Sequence, residues 1–267
     1  MYELVIICGL LGLMMGSFLN AWVWRTKEGE RSVAQGRSIC PSCEHVLGFS
    51  DLVPVFSWLA LGGKCRYCRS RISLQYPVVE IVTSLSFALS ALWWPFNLVG
   101  MIDLVLFVIW LFITALFVAL AVYDLKWYLL PSVFMSKLLG LTILWLILYS
   151  LYGAGLEEWL ISPVLGAGLA FGFFYLIHIL GRGKWMGGGD VKLVFVLGLL
   201  VGLQGTIVGL FVSFVTGALF GLALIAANIK SREDMVPFGP FLLAGFWLAF
   251  FFAEELYSWY MGFVVGV

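Results

Sequence analysis

The sequence predicts an all-α polytopic membrane protein of about eight transmembrane helices, with a small four-cysteine domain between the first and the second. Three observations predict it. Of 267 residues, 63% are hydrophobic and only 11% charged, where soluble domains carry charge on about a quarter of their residues. Apolar runs of membrane-crossing length recur along the chain. Between the first two lies the one sizeable polar stretch, residues 25–76, which holds four of the five cysteines. A mean hydropathy of +1.06 excludes a disordered chain. Balanced charge, 15 Lys and Arg against 15 Asp and Glu, leaves no basic excess for nucleic acid. The 12 Trp suit a protein that anchors many helix ends at a membrane surface.

The first run, residues 4–24, is long enough to cross a hydrocarbon layer of about 30 Å. Met1, Tyr2 and Glu3 precede it without a cation, whereas Arg25, Lys27, Arg31 and Arg37 follow it. It therefore reads as a membrane anchor rather than a signal peptide, with the N-terminus outside and residues 25–76 in the cytoplasm. Further runs occupy residues 77–94, 101–123, 131–152, 162–180, 191–203, 205–229 and 240–263. The run 191–203 is short at 1.5 Å per residue, and it merges with its neighbour around Gly202 to Gly205. Eight spans from an outside N-terminus leave residues 25–76, 124–130, 181–190 and 230–239 inside. Every Lys and Arg, Lys184 and Arg232 included, lies in or within about two turns of those segments. The expected domains are a first transmembrane helix (1–24), a cytoplasmic cysteine domain (25–76) and a transmembrane domain of the remaining helices (77–267).

Cys40-Pro41-Ser42-Cys43 and Cys65-Arg66-Tyr67-Cys68 form two C-x-x-C knuckles, a spacing that suits a closed, four-thiolate structural zinc site of ribbon type. Two disulfides or four unligated thiols are the alternatives, and a reducing cytoplasm disfavours the disulfides. His45 can in principle replace a ligand, but with four thiolates present it reads as a surface histidine. Cys8, inside the first span, reads as a packing residue. About fifty residues bury little core, so a metal would supply much of the folding energy of this segment.

Ionisable groups beside a bilayer are costly, which makes acids at span ends functional candidates. Asp124 ends the third span, Asp190 opens the sixth after Gly187-Gly188-Gly189, and Glu80 sits one turn inside the second. All three fall at the cytoplasmic level. Three glycines before an aspartate allow close backbone approach to a bound peptide, so Gly187, Gly188 and Gly189 read as a substrate loop; a flexible loop with a helix cap is the plainer reading. Two facing carboxyl groups can share one proton, the anionic member activating water while the protonated one polarises a peptide carbonyl. The helix ends suggest roles: Asp190 at a helix N-terminus as the anion, Asp124 at a helix C-terminus as the acid. Glu80 can snorkel or pair with an arginine, and His178, within the fifth span, reads as packed or hydrogen-bonded.

These residues resemble the type IV prepilin leader peptidases, membrane aspartyl proteases of the Gly-x-Gly-Asp class. The likeness runs through Gly16-Ser17-Phe18-Leu19-Asn20, both cysteine knuckles, residues 54–59, Tyr76-Pro77-Val78-Val79-Glu80, Asp124 with Pro131 behind it, Gly187 to Asp190 with Lys192, and Val236-Pro237-Phe238-Gly239-Pro240-Phe241. It implies removal of the basic leader from type IV prepilins or pseudopilins at the cytoplasmic face of a bacterial inner membrane, with Asp124 and Asp190 as the catalytic pair. It also implies N-methylation of the new N-terminal residue from S-adenosylmethionine, for which no glycine-rich fingerprint is visible. Two departures are Ser132 after the proline and Gly188 as the variable residue of the motif, the latter implying a loose loop. A peptidase without methyl transfer and an ion-coupled transporter are the competing readings; a transporter calls for midplane acids and an internal repeat, and the sequence has neither.

Overall fold

A computed structural model describes residues 2–29, 37–183, 185–231 and 234–265. Residues 30–36 of the cysteine segment, and with them Arg31, as well as Lys184 and Arg232 of the charge pattern, lie outside the described residues. Among the described residues the regular structure is helical, apart from two isolated bridges, Ile39 with Val46 and Lys64 with Arg71. The chain divides into two compact units, Met1–Trp94 and Pro95–Val267.

In the first unit α1 (Tyr2–Glu28) packs on α3 (Gln75–Leu92), with the cysteine segment, a 3-10 turn (Phe49–Asp51) and the short α2 (Phe56–Ala60) between them. Small residues set the closeness of that packing. A Cβ on Gly12 would lie 2.6 Å from the Ser84 Cα, and one on Gly16 would lie 2.6 Å from the Glu80 Cα. Gly12 and Gly16 are four residues apart on one face, the small-xxx-small pattern by which membrane helices bring their backbones together. Hydrogen bonds then seal the seam. Ser84 Oγ donates to the Gly9 carbonyl (2.8 Å), Asn20 Nδ2 to that of Tyr76 (3.2 Å), and Gln75 Nε2 to Asn20 Oδ1 (3.3 Å).

The second unit is built on α4 (Met101–Trp127), its most buried helix, along which Leu106, Trp110, Ile113 and Leu120 are fully enclosed. α5 (Ser132–Leu151) and α8 (Gly239–Val265) pack against it, and Trp110 stacks on Phe250 with ring centroids 3.6 Å apart. A π turn (Glu157–Ile161) leads into α6 (Ser162–Leu180), which lies against α7 (Gly188–Ala226). Seven of the described helices are long and apolar enough to cross a membrane, where the sequence predicts about eight spans. The long α7 accounts for the difference: it holds two helices, matching the expected spans 191–203 and 205–229, that follow one another across a kink at Gly202, whose φ of 71° and ψ of −175° are non-helical. A glycine adopts that conformation without a Cβ penalty. The backbone group freed by the break does not go unpaired, because Ser162 Oγ accepts the Leu203 N–H at 2.9 Å. Such repair is what lets a broken helix persist in hydrocarbon.

Candidate active site and metal centre

Asp124 lies one turn before the end of α4 and is only 6% exposed. Its carbonyl accepts the Tyr128 N–H at 2.8 Å, and Tyr128 takes a left-handed conformation (φ 54°) that ends the helix. The reversal carries the chain through Leu129 and Leu130 to Pro131, where α5 begins. At the other end of the side chain, Asp124 Oδ2 accepts the backbone N–H of Gly239 at 3.0 Å. Gly239 is the first residue of α8, so its N–H belongs to the unsatisfied, positively polarised end of that helix. The site thus brings a second helix N-terminus to Asp124. The sequence expectation, which set only the C-terminus of α4 beside this carboxyl group, missed it.

Asp190 is the third residue of α7, which is capped by Gly187 (φ −70°, ψ 145°). Its N–H donates to the Gly187 carbonyl at 3.2 Å. Its carboxylate folds back over the cap: a Cβ on Gly187 would lie 3.2 Å from Asp190 Oδ2. The triglycine is therefore no loose loop, contrary to the expectation, since Gly188 and Gly189 form the first turn of α7. Gly189 packs against Leu130, where an added Cβ would meet the leucine side chain at 3.3 Å. This contact joins the segment after Asp124 to the one before Asp190. α5, α6 and α7 line an open groove of about 360 Å³ formed by Met135, Leu139, Phe171, Phe195 and Val196, with Lys192 and Ser136 as its polar groups; neither acid lines it.

The four expected metal ligands converge. The Sγ atoms of Cys40, Cys43, Cys65 and Cys68 all lie within 4.8 Å of one another, and Cys40 and Cys68 are 3.9 Å apart. Tetrahedral thiolate coordination at about 2.3 Å per bond sets sulfurs at roughly that separation, so the donor set fits a closed metal site. Local backbone geometry explains the convergence. In the first knuckle Glu44 N–H donates to the Cys40 carbonyl (2.8 Å) and Cys40 N–H to that of His45 (3.0 Å); in the second, Arg69 N–H donates to Cys65 (3.1 Å) and Cys65 N–H to Ser70 (2.8 Å). Glu44 and Arg69 both turn left-handed, with φ of 56° and 61°. The second knuckle thus repeats the first 25 residues on, down to the flanking bridges. Burial opposes ionisation of Cys40, but the backbone N–H groups of Ser42 and Cys43 and the neighbouring thiols outweigh it, bringing its pKa down to about 6. A thiol so placed is ready to ligate as the thiolate. At Cys43 the His45 backbone N–H favours the thiolate, but burial and the Cys68 and Cys40 sulfurs prevail and push its pKa up to about 11.

Other candidates take supporting positions. His45 lies against Tyr67 with ring centroids 3.6 Å apart and the planes tilted by 35°, and Cys8 is buried in α1. Glu80, buried in α3, accepts the Val55 N–H at 2.7 Å, holding a β-branched residue at a positive φ of 62° (ψ −51°) at the start of α2. Asp51 was not singled out by sequence, yet it binds the two knuckle regions together. Its carboxylate accepts the Gly48 N–H (3.0 Å), Arg66 Nε (2.7 Å) and Tyr67 Oη (3.1 Å). Its pKa lies below the ordinary value: burial pushes it up, but those three donors and the charge of Arg66 prevail.

Comparison with known proteins now decides the family. Residues 10–94 match the bacterial peptidase A24 N-terminal domain, and residues 106–222 match the type IV leader peptidase family. The chain is 32% identical over 257 residues to the prepilin leader peptidase/N-methyltransferase of Bacillus subtilis (strain 168), covering 96% of this chain and 98% of that one. This chain belongs to the type IV leader peptidase family. Proteins of the same description from Xanthomonas campestris pv. campestris (32% identical, covering 95% of this chain and 93% of the relative) and Pseudomonas aeruginosa (29%, 95% and 92%) extend the likeness over almost the full length. No solved structure matches the chain. Both acids fall within the residues matched by the leader peptidase family, and all four cysteines within those matched by the N-terminal domain.

Proposed function

We propose that this chain is a membrane aspartyl endopeptidase that cleaves the leader from type IV prepilins or pseudopilins and methylates the new N-terminal residue with S-adenosylmethionine. The observation that carries the reading is the contact of Gly189, next to Asp190, with Leu130, six residues after Asp124, beside the Gly239 N–H that Asp124 accepts. One carboxylate takes a proton from water, whose oxygen attacks the scissile carbonyl carbon. The other carboxyl group gives its proton to the carbonyl oxygen. Collapse of the tetrahedral diol returns a proton to the departing nitrogen and restores the shared-proton pair. Gly187, Gly188 and Gly189 form the wall along which an extended peptide approaches, because side chains there would stand between it and Asp190.

Zinc is the metal that four cytoplasmic thiolates in this spacing suit, held by Cys40, Cys43, Cys65 and Cys68. It would cross-link the two knuckles of segment 25–76, which stands between the first transmembrane helix (1–24) and the peptidase domain (77–267). The charge pattern supports an N-terminus outside, with the cysteine segment and the acids at the cytoplasmic face of a bacterial inner membrane. The methyltransferase reading draws on the description of the relatives, and no donor-binding residues are assigned. Purified protein incubated with a prepilin-like peptide and methyl-labelled S-adenosylmethionine tests both activities. Cleavage with label on the new N-terminus is expected. Cleavage without label leaves a peptidase alone, and an intact peptide overturns the reading.

A further inference from the structure

α6 ends in a tight knot directly before the catalytic aspartate, and His178 is at its centre. The helix closes through Gly181 N–H to the Ile177 carbonyl (2.9 Å) and Gly183 N–H to that of His178 (2.9 Å), with Arg182 and Gly183 both left-handed. Trp185 folds over Gly181, leaving no room for a Cβ there, which would lie 2.8 Å from the indole. The imidazole of His178 faces this turn: its Cε1 would be 3.5 Å from a Cβ on Gly183 and 3.9 Å from one on Gly188. Its Nδ1 is 2.8 Å from the carbonyl oxygen of Met186. Met186 immediately precedes Gly187, the cap of the helix that carries Asp190 at its third position.

We propose that His178 is a positioning residue for the peptidase, whose Nδ1–H tethers the Met186 carbonyl and so fixes the α7 cap and the Asp190 carboxylate in register with Asp124. The inference rests on the Asp124–Asp190 reading above. A carbonyl oxygen can only accept, so His178 must hold its proton on Nδ1, which in the neutral ring leaves Nε2 bare. The tether spans the connection between α6 and α7, tying Met186, just before the α7 cap, back to the body of α6. A helix start that shifts by about 1 Å moves its third residue with it, and misplacement on that scale lowers turnover on the order of 100-fold.

The test uses the full chain in detergent or liposomes, measuring kcat and KM for a prepilin-like peptide in wild type, His178→Ala, His178→Asn and Asp190→Asn. Asn is informative because its amide nitrogen occupies nearly the place of Nδ1 and can donate to the same carbonyl. His178→Ala is expected to lower kcat on the order of 10- to 100-fold with KM changed less than about twofold, and His178→Asn to recover most of the loss. An alanine variant that turns over like wild type, or an asparagine variant as slow as alanine, overturns the tether. Activity retained in Asp190→Asn instead overturns the catalytic assignment, which separates the two failures. A second measurement needs no variant. The chain has only two histidines, so selective 15N-imidazole labelling resolves His178, and a protonated Nδ1 is expected. A protonated Nε2 with bare Nδ1 refutes the proposal.

Discussion

A single methyl group added at Gly239 reaches the centre of the proposed mechanism. Built on the backbone, the Cβ of Gly239→Ala lies 2.6 Å from Asp124 Oδ2 and 3.2 Å from its Cγ. An ordinary contact begins near 3.4 Å, so the oxygen must retreat by about 0.8 Å, the difference between 3.4 and 2.6. The same movement breaks the 3.0 Å hydrogen bond from the Gly239 N–H. A hydrogen bond to a charged group contributes about 1.5–3 kcal/mol, and a 1 Å misplacement of a reacting group costs on the order of 100-fold. At 1.36 kcal/mol per tenfold, both routes give a loss of roughly 10- to 100-fold in kcat. The assay is steady-state cleavage of a prepilin-like peptide by purified protein, with Gly221→Ala alongside. Gly221, also helical, has nothing within 4 Å of an added Cβ, so that variant is expected to cleave like wild type. A Gly239→Ala enzyme within twofold of wild type would refute the claim that α8 positions Asp124.

Cys65→Ser removes one of four thiolates and is expected to lower the zinc bound per chain from about one to near zero on gel-filtered protein; unchanged metal content contradicts the site. Asp51→Asn tests the link between the knuckles through pH. The folded-state pKa of Asp51 is depressed, so its contribution is present above the unfolded value, near 3.8, and is lost as pH falls through the folded one. The excess thermal stability of wild type over Asp51→Asn at neutral pH should therefore shrink as pH is lowered below about 4, and a gap that stays constant or widens counts against it. Ser162→Ala leaves the Leu203 N–H at the α7 break without its acceptor, for an expected loss of about 1 kcal/mol. Thermal unfolding in detergent reads this as a Tm lower by a few degrees, and an unchanged Tm means the break is satisfied otherwise.

Much of this architecture was legible in the sequence because hydrocarbon leaves few options. Backbone polar groups must be paired within each span, so apolar length alone locates helices. The knuckles were legible for a similar reason, since thiolate chemistry constrains spacing. Legibility ended where contacts link distant residues. Nothing near Gly239 indicates that its N–H meets a carboxylate 115 positions earlier. The helix-end argument for the two acids, drawn from each residue's own helix, consequently missed the α8 terminus at Asp124. Asp51 was hidden in the same way, as one acid among several in a polar segment whose partners, Arg66 and Tyr67, lie in the other knuckle. The Gly202 break was visible only as a weak boundary between two runs, because a glycine in an apolar helix reads equally as packing or as a kink, and the Ser162 acceptor that permits it comes from α6.

Two nearly isosteric exchanges test the central claim most directly: Asp124→Asn and Asp190→Asn, each purified, confirmed to melt like wild type, and assayed for cleavage of a prepilin-like peptide. Each single variant is expected to lose cleavage by several orders of magnitude, because neither a water-activating carboxylate nor a shared proton survives when one partner becomes an amide. Cleavage near the wild-type rate by both variants would contradict the account, leaving the family membership and the fold standing without the mechanism.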